Sequence, residues 1–477
     1  IVCVDLDDDG RDEIVVGADR YNFTDGRRPT LYIFRGRRSF EGHNLIDLGA
    51  GGAADAVILG ETASTNLAPS LASGDVNGDG VMDLVATDST MNAASDRAGA
   101  GVGYVLFGRP DFFDKTVYDF QLGDWDVKFL GGYAGEDLGG SSMFGGMISK
   151  GVAAGDLNGD AIADMAFGAH LGGTPGSAGK VYIVFGRASF VHGQIIDLRS
   201  QSNVVVLGNE QYAELGTMIS IGDITGDGLA DLVLGEEYGS LDTLDSRGRL
   251  FMFRGRASFP SNLSVSTPDF GVIGARTWDM LGSALALADV NRDGIGDIVV
   301  AASGWDNTPT PGSVDFGAIY GFWGSGSLTG TKRMDVVSPD FFVAGKNNSN
   351  DIGGTLEAGD VNGDGIGDIF FAARDGERAG WNGEGRTFLI QGRAALPQAF
   401  TIDEDIVSAA AKVDVVINGG IDNFQMGDAM AAGDIDGDGA FEICLAAPFL
   451  ESNTGRLLVF DLSPPLTAAG TPWVLYE

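Results

Sequence analysis

Seven copies of one acidic motif, Asp-x-Asp/Asn/Thr-x-Asp-Gly-x-x-Asp/Glu, recur along this 477-residue chain, the third with Ala in place of Gly. Near-constant spacing of a motif over a whole chain indicates a repeat architecture. Consecutive copies begin 66 to 81 residues apart, at Asp5, Asp75, Asp156, Asp223, Asp289, Asp360 and Asp434.

Each copy has the composition of a calcium-binding loop. Ca²⁺ takes about six to eight oxygen ligands, and side chains at positions 1, 3, 5 and 9 with the carbonyl of position 7 would supply them. The glycine at position 6 permits a turn with φ > 0. The sequence therefore predicts up to seven structural calcium ions. The predicted ligands are Asp5, Asp7, Asp9, Arg11, Glu13; Asp75, Asn77, Asp79, Val81, Asp83; Asp156, Asn158, Asp160, Ile162, Asp164; Asp223, Thr225, Asp227, Leu229, Asp231; Asp289, Asn291, Asp293, Ile295, Asp297; Asp360, Asn362, Asp364, Ile366, Asp368; and Asp434, Asp436, Asp438, Ala440, Glu442.

The motif differs from an EF-hand, which closes at position 12 and lies between amphipathic helices. Here short apolar runs such as Ile-Val-Val-Ala-Ala follow Asp297, and they predict buried strands. An acidic turn that binds nothing is the alternative, but such a turn would not need four spaced oxygens. The third copy has Ala161 at position 6, so we expect it to be the weakest site. The fourth uses the neutral Thr225 at position 3.

Composition excludes several classes of protein. The net charge of −37 and pI near 4.1 argue against nucleic-acid binding, which requires a basic surface. No apolar run approaches 18 residues, so we expect no transmembrane span. The chain starts at Ile1 inside a strand pattern, and we expect it to be processed or incomplete. Of the two cysteines, Cys3 and Cys444, free buried thiols are favoured over a ring-closing disulfide. Glycosylation sequons occur at Asn22, Asn262 and Asn347.

Alignment on the acidic loop gives four strands, A to D, in each repeat. Twenty-eight strands in seven groups of four predict an all-β fold, a seven-bladed β-propeller with four antiparallel strands per blade and a calcium loop in each A–B hairpin. Trp473–Tyr476 is assigned as strand D of the seventh repeat. The expected single domain, 1–477, divides into blades at approximately 1–60, 61–132, 133–208, 209–274, 275–345, 346–419 and 420–477.

Two further signals accompany the loops. A glycine lies seven residues before the first ligand, at Gly216, Gly282, Gly353 and Gly427, and small pairs such as Gly168-Ala169 follow strand B. These are FG-GAP repeats, and the chain resembles the integrin α-subunit β-propeller. It departs from that family in having seven qualifying loops, where the family has them in only some blades. In integrins the outermost strand of the last blade comes from the start of the chain. Here either the ring closes without such a strand or N-terminal residues are missing.

The resemblance implies that partners bind on the face opposite the calcium loops, which the B–C and D–A connections form. Exposed aromatic residues suit protein contacts or sugar stacking, although packing between blades is the alternative for each. Arginines in the B–C loops, Arg27, Arg28, Arg374 and Arg378, could form an anion site or be solvated. The predicted ligand-face residues are Trp278, Trp305, Trp381 and Tyr238, with Tyr21, Phe23, Tyr133, Phe144 and Tyr212 as further candidates.

No catalytic motif surrounds the three histidines, His43, His170 and His192. We therefore expect a non-enzymatic binding module, secreted or on the cell surface, that serves adhesion or extracellular assembly. Its expected partner is an extracellular protein or a glycan, within a larger surface assembly. The alternatives are a lectin, a structural subunit of an extracellular filament or sheath, and a calcium-dependent enzyme acting on polysaccharides.

Overall fold

The computed structural model describes residues 1–18, 28–38, 54–63, 65–140, 150–240, 245–306, 316–345, 352–374, 383–402, 413–419, 425–448, 455–462 and 473–476. Thirty-three strands, numbered β1 to β33 in chain order, form seven sheets. The described helices are one turn each: η1 (Phe112–Asp114), η2 (Phe120–Leu122) and α1 (Leu198–Gln201). None of these helices is long and apolar enough to cross a membrane.

The prediction of an all-β, seven-bladed propeller is confirmed. Strand A of each blade contacts strand A of the next, and the last contacts the first, so that the blades form a closed ring. The A strands are β1 (Val2–Val4), β5 (Leu67–Gly74), β10 (Val152–Gly155), β15 (Met218–Gly222), β20 (Leu281–Ala288), β25 (Ile352–Gly359) and β30 (Ala429–Gly433).

Strands B and C follow in antiparallel order in every blade. The B strands are β2 (Glu13–Ala18), β6 (Asp83–Asp88), β11 (Asp164–Ala169), β16 (Asp231–Glu236), β21 (Asp297–Ala302), β26 (Asp368–Ala373) and β31 (Glu442–Ala447). The C strands are β3 (Thr30–Phe34), β7 (Val102–Leu106), β12 (Lys180–Val184), β17 (Arg249–Phe253), β22 (Ala318–Phe322), β27 (Arg386–Ile390) and β32 (Arg456–Phe460).

Blades 1 to 6 each have a strand D and, outside it, a fifth strand that the sequence did not predict. This donated strand comes from the next repeat and pairs parallel with strand D of the preceding blade. The D strands are β4 (Ala56–Leu59), β9 (Val127–Leu130), β14 (Val204–Leu207), β19 (Phe270–Ile273), β24 (Phe341–Gly345) and β29 (Val415–Asn418). The donated strands are β8 (Val117–Asp119), β13 (Gln194–Asp197), β18 (Asn262–Ser264), β23 (Gly330–Arg333), β28 (Ala399–Ile402) and β33 (Trp473–Tyr476).

The assignment of Trp473–Tyr476 as strand D of the seventh blade was therefore wrong. This segment, β33, pairs parallel with β29 and completes the sixth blade. In the described residues the seventh sheet contains only β30, β31 and β32. The outer strand β32 is accordingly less buried than other C strands: Val459 is 36% exposed, whereas every residue of β12 is buried.

The hydrophobic core lies between blades rather than within them. Phe129 of the second blade contacts Phe167 of the third with ring centroids 4.9 Å apart, in a cluster drawn from both blades. On the axis, the A strands leave a cavity of about 60 Å³, and an ion pair between Lys150 and Glu357 links the third and sixth blades beside it. Each blade is thus stabilised by its neighbours.

Ion pairs fasten two donated strands to the preceding repeat. Arg97 donates two hydrogen bonds of 2.8 Å to the carboxylate of Asp197, at the end of β13, and a third to the carbonyl of Gly131. Arg28 forms the same fork with Asp119, at the end of β8. Arg374 pairs with Asp428 across 3.6 Å. The two arginines of the suggested anion site that are described are therefore engaged with carboxylates, while Arg27 and Arg378 lie outside the described residues.

We expect Arg97→Met to destabilise the protein by about 1–3 kcal/mol, because it removes three hydrogen bonds of a buried guanidinium that holds β13 in place. Urea unfolding with calcium present would measure the change. Arg333→Met is the matched control: Arg333 is 45% exposed and pairs with the nearby Asp335, so the expected change is within about 0.5 kcal/mol. Equal effects of the two substitutions would contradict the role assigned to Arg97.

Candidate metal centres

All seven acidic loops connect strand A to strand B and so lie on one face of the ring. Position 6 has positive φ throughout: from 81° to 93° in the six glycines and 65° in Ala161. Position 4 is also left-handed, which the sequence analysis missed, although five copies have glycine there. A Cβ at Gly78 would lie 2.9 Å from Cδ1 of Ile162 in the next loop, so in the second loop position 4 favours glycine for space as well.

The carboxylate of position 1 organises the loop from inside. In the second loop, Asp75 accepts hydrogen bonds from the amides of Gly78, Asp79 and Gly80 over 2.7–3.1 Å. Asp79 at position 5 accepts a bond from the amide of Val81 at position 7. These bonds hold the carboxylates of positions 1 and 5 against the backbone amides of the same loop.

The carboxylate of position 9 is buried at the base of each loop. Asp83, with no exposed surface, accepts a 2.9 Å bond from the amide of Val76 and a 3.0 Å bond from that of Gly108. Burial raises the pKa of Asp83 to about 8, and the two amide bonds only partly oppose this shift. Burial likewise raises the pKa to about 8 for Glu13, Asp368 and Glu442, to about 7 for Asp164 and Asp297, and above its usual range for Asp231. The ionised form of these groups therefore lacks a compensating charge.

Several loop oxygens are buried without a hydrogen-bond partner, and these bear on whether the loops fit a cation. They are Oδ1 of Asp7, Oε1 of Glu13, Oγ1 of Thr225 and Oε1 of Glu442, all at position 3 or 9. One ligand atom from each of Asp5, Asp7 and Glu13 lies within 4.8 Å of the others, as in the group Asp434, Asp436 and Glu442. Oxygen-only donor sets of this kind suit a hard cation such as Ca²⁺, so the residues fit the ion.

The first loop differs from the seventh, although both have four carboxylates. The guanidinium of Arg35 contacts Asp7, and that of Arg11 lies 3.0 Å from Asp9. These two cations partly neutralise the first loop before any metal binds. The ligand residues alone do not distinguish the two loops; the difference arises because Arg35, just after strand C of the first blade, reaches Asp7.

Neighbouring loops are joined by backbone hydrogen bonds. The amide of position 8 donates to the carbonyl of position 1 in the preceding loop at six of the seven junctions, over 2.8–3.1 Å, including Asp12 to Asp434 where the ring closes. Between the first and second loops, whose residues are all described, the structure shows no such bond. That junction keeps a second bond, in which the amide of Arg109 donates to the carbonyl of Leu6, and equivalent bonds such as Arg187 to Val76 occur at other junctions. Since position 8 follows the expected carbonyl ligand, every loop except the second has a ligand positioned by the preceding loop.

The predicted ligand-face residues have different surroundings. Trp278 is 44% exposed and Tyr238 is half-buried. Trp305 packs against a buried cluster, and its ring centroid lies 5.6 Å from that of Phe342. For Trp305 the structure therefore shows packing, which was the alternative to a place on the ligand face. Trp381 lies outside the described residues, as do Tyr21, Phe23, Phe144, Asn22 and Asn347. Asn262 of the third sequon is exposed on β18.

The D–A turns carry the most exposed aromatic residues of this face. Tyr133, Tyr212 and Trp278 are 52%, 50% and 44% exposed, on three successive turns. Tyr212 and Trp278 have positive φ of 64° and 68°, an uncommon conformation for bulky residues.

The two described histidines have different environments. His170 is buried, which lowers its pKa to about 4 and keeps it neutral. His192 is mostly exposed, with Nδ1 2.9 Å from Asp126, and His43 lies outside the described residues.

Comparison with known proteins agrees with the repeat pattern. A family model described as "FG-GAP repeat" matches residues 151–184 and 281–322. Phosphatidylinositol-glycan-specific phospholipase D of Bos taurus is 24% identical over 213 residues, 43% of this chain and 24% of that protein. Integrin alpha-5 of Xenopus laevis is 30% identical over 46% of this chain and 21% of the integrin. Integrin alpha pat-2 of Caenorhabditis briggsae is 26% identical over 55% of this chain and 20% of that protein. The chain thus spans at most about a quarter of these relatives' lengths.

We expect calcium to remove the loss of stability that the position-9 carboxylates cause as pH rises. The position-9 carboxylates have folded pKa values raised to about 7–8, against roughly 4 when unfolded. In chelator, their protonation favours the folded state below about pH 4, and this contribution is lost as pH rises through about 8. Calcium stabilises the ionised groups, so the loss should disappear at millimolar calcium. Melting temperatures from pH 5 to 9 in calcium and in chelator test this; parallel curves would contradict it.

We expect Ala161→Gly to tighten the third loop about fivefold for calcium, since alanine at φ 65° costs on the order of 1 kcal/mol. Gly228→Ala in the fourth loop is the reciprocal control, because Gly228 has φ 87° and open space around its Cβ position. Hydrogen exchange of segments 156–164 and 223–231 during calcium titration would report each loop separately. The interpretation fails if Ala161→Gly leaves the third midpoint unchanged.

Proposed function

We propose that this seven-bladed propeller, which contains FG-GAP repeats, is a calcium-stabilised extracellular binding module without enzymatic activity. The observation that carries the proposal is the ring of seven acidic loops, each with a buried carboxylate at position 9. The first, fourth and seventh loops also have buried oxygens without a hydrogen-bond partner, and the first and seventh have grouped carboxylates. Similarity to integrin α subunits supports an extracellular setting and a protein partner. Calcium in this proposal is structural, with up to seven ions per chain.

Bound calcium would supply the positive charge that the buried position-9 carboxylates lack. The chain's own residues form the cradle: amides of positions 4 to 6 hold the first carboxylate, and the amide of position 2 holds the last. Extracellular calcium modules bind at roughly 10⁻⁴–10⁻³ M. At millimolar calcium, a site of about 0.1 mM affinity would add about 1.4 kcal/mol of stability. Several such sites would therefore contribute on the scale of a domain's net stability, about 5–15 kcal/mol.

Partner binding is proposed for the opposite face, where the D–A turns lie. Three successive turns expose Tyr133, Tyr212 and Trp278, and aromatic rings are enriched in binding surfaces. The left-handed conformations of Tyr212 and Trp278 cost free energy while leaving large rings in water. A binding role for these two rings would account for both the strained backbone and the exposed aromatic surface. Glu210, Asp245 and Asp279 lie in or beside these turns, and each has an arginine next to it, Arg249, Arg247 and Arg276 respectively. The region therefore carries both signs of charge.

The enzyme alternative comes from similarity to a phospholipase D, but the match covers only 24% of that protein. Here the described histidines either are buried and neutral, as His170 is, or lie against a carboxylate on the surface, as His192 does. A lectin and a structural subunit of an extracellular filament remain the alternatives within the binding class. A lectin would bind a glycan at the aromatic D–A turns, whereas a filament subunit would bind another protein there.

A glycan array and a panel of extracellular matrix proteins, each probed in calcium and in chelator, test the proposal. We expect calcium-dependent binding that Trp278→Ala and Tyr212→Ala weaken about tenfold or more, as for central aromatic contacts. Leu122→Ala is the matched control. Leu122 is 79% exposed, but it lies after the donated strand β8 and is not part of a D–A turn. Calcium-independent binding, or equal losses in all three variants, would count against this surface.

A further inference from the structure

The junction between the seventh and first blades has the smallest apolar core of the ring. Its cluster has four buried residues among those described: Ile14, Ala431, Ile435 and Cys444. Each of the other six described clusters has at least twelve. The two blades at this seam come from opposite ends of the sequence, so no short chain segment connects them as it does at the other six junctions. The seam therefore has the least packing to hold it closed.

Both cysteines of the chain meet at this seam. Cys3 lies on β1, strand A of the first blade, and Cys444 lies on β31, strand B of the seventh. The two side chains belong to this one apolar cluster, with Cys444 fully buried and Cys3 half-buried. A Cβ at Gly433 would come within 2.3 Å of Cβ of Cys3, so this glycine allows β1 to approach β30 closely enough for the contact.

Both thiols are free in the structure, as the sequence favoured. We propose that oxidation joins Cys3 and Cys444 in a disulfide that closes the propeller covalently between its first and last blades. The fold brings together the only two cysteines in the sequence, from segments near opposite ends. Two thiols in the junction with the smallest described apolar cluster make a site for oxidative modification. This site adjoins the first and seventh acidic loops, since Cys3 lies two residues before Asp5 and Cys444 two residues after Glu442.

The reaction balances with a small-molecule disulfide as oxidant. The thiolate of Cys3, the more accessible cysteine, attacks oxidised glutathione and releases one glutathione thiol. The thiolate of Cys444 then displaces the second glutathione and forms the Cys3–Cys444 bond. In total two thiols lose two protons and two electrons, and one glutathione disulfide becomes two thiols.

The bond would enclose nearly the whole chain in one covalent loop. Cross-links that close long loops restrict the unfolded state most, in the chain-entropy account. In the folded state, the bond would prevent the first and seventh blades from separating even when their calcium loops are empty. Oxidised and reduced protein should therefore differ most in chelator, where the seam depends on its small apolar cluster and the loop-to-loop hydrogen bonds.

The test treats folded, calcium-loaded protein with oxidised glutathione at about pH 8.5, and then maps thiols and cross-linked peptides by mass spectrometry. We expect both thiols to disappear together, with one peptide pair joining Cys3 to Cys444 in the monomer, reversed by dithiothreitol. The unfolding rate in chelator should be about tenfold or more slower for the oxidised protein. Persistence of both thiols, a glutathione adduct without a cross-link, or dimers linked between chains would each overturn the proposal.

Cys444→Ala is the control, since it keeps the seam apolar and leaves a single thiol. Oxidant should then produce no cross-link and leave the unfolding rate unchanged; a rate decrease as large as in the unsubstituted protein would overturn the proposal. If this variant does not fold, peptide mapping of the unsubstituted protein decides by itself, because it requires no substitution.

Discussion

The hydrogen bond from position 8 of one acidic loop to the carbonyl of position 1 in the preceding loop is the interaction on which the metal-loop face depends. It occurs at six of seven junctions and includes the closing bond from Asp12 to Asp434. A loop whose carboxylates repel one another would open alone. Joined this way, every loop except the second has its expected carbonyl ligand positioned by its neighbour, so the loops form one linked series rather than seven separate turns.

The outer edge of the ring is joined by different means. Donated strands pair parallel with the preceding blade, and forks such as Arg97 to Asp197 fix two of them. Blade interfaces supply the apolar core between these two layers of polar contacts. The seam between the seventh and first blades keeps the loop hydrogen bonds but has little of the core, which makes it physically distinct from the other six junctions.

Sequence reasoning was most successful where the signal is local. The loops and the seven-bladed fold could be predicted because ligands and strands lie within a few residues of one another. The donated strands could not be predicted, because a tripeptide such as Val117–Asp119 becomes a strand only by pairing with a strand of the previous repeat. Trp473–Tyr476 was misassigned for the same reason: its apolar pattern indicates a strand but not which neighbour it pairs with. The contact of Arg35 with Asp7 likewise joins residues far apart in sequence.

Around the ring, the loop-to-loop hydrogen bonds all have the same polarity: each donating loop bonds to the carbonyl of the loop before it, and the first loop donates to the seventh. The series is interrupted at one place, because the second loop donates no such bond to the first. Disorder in one loop would therefore remove the acceptor that holds the expected ligand carbonyl of its successor. The metal-loop face thus has one chemical direction around the ring, with a single break between the first and second loops.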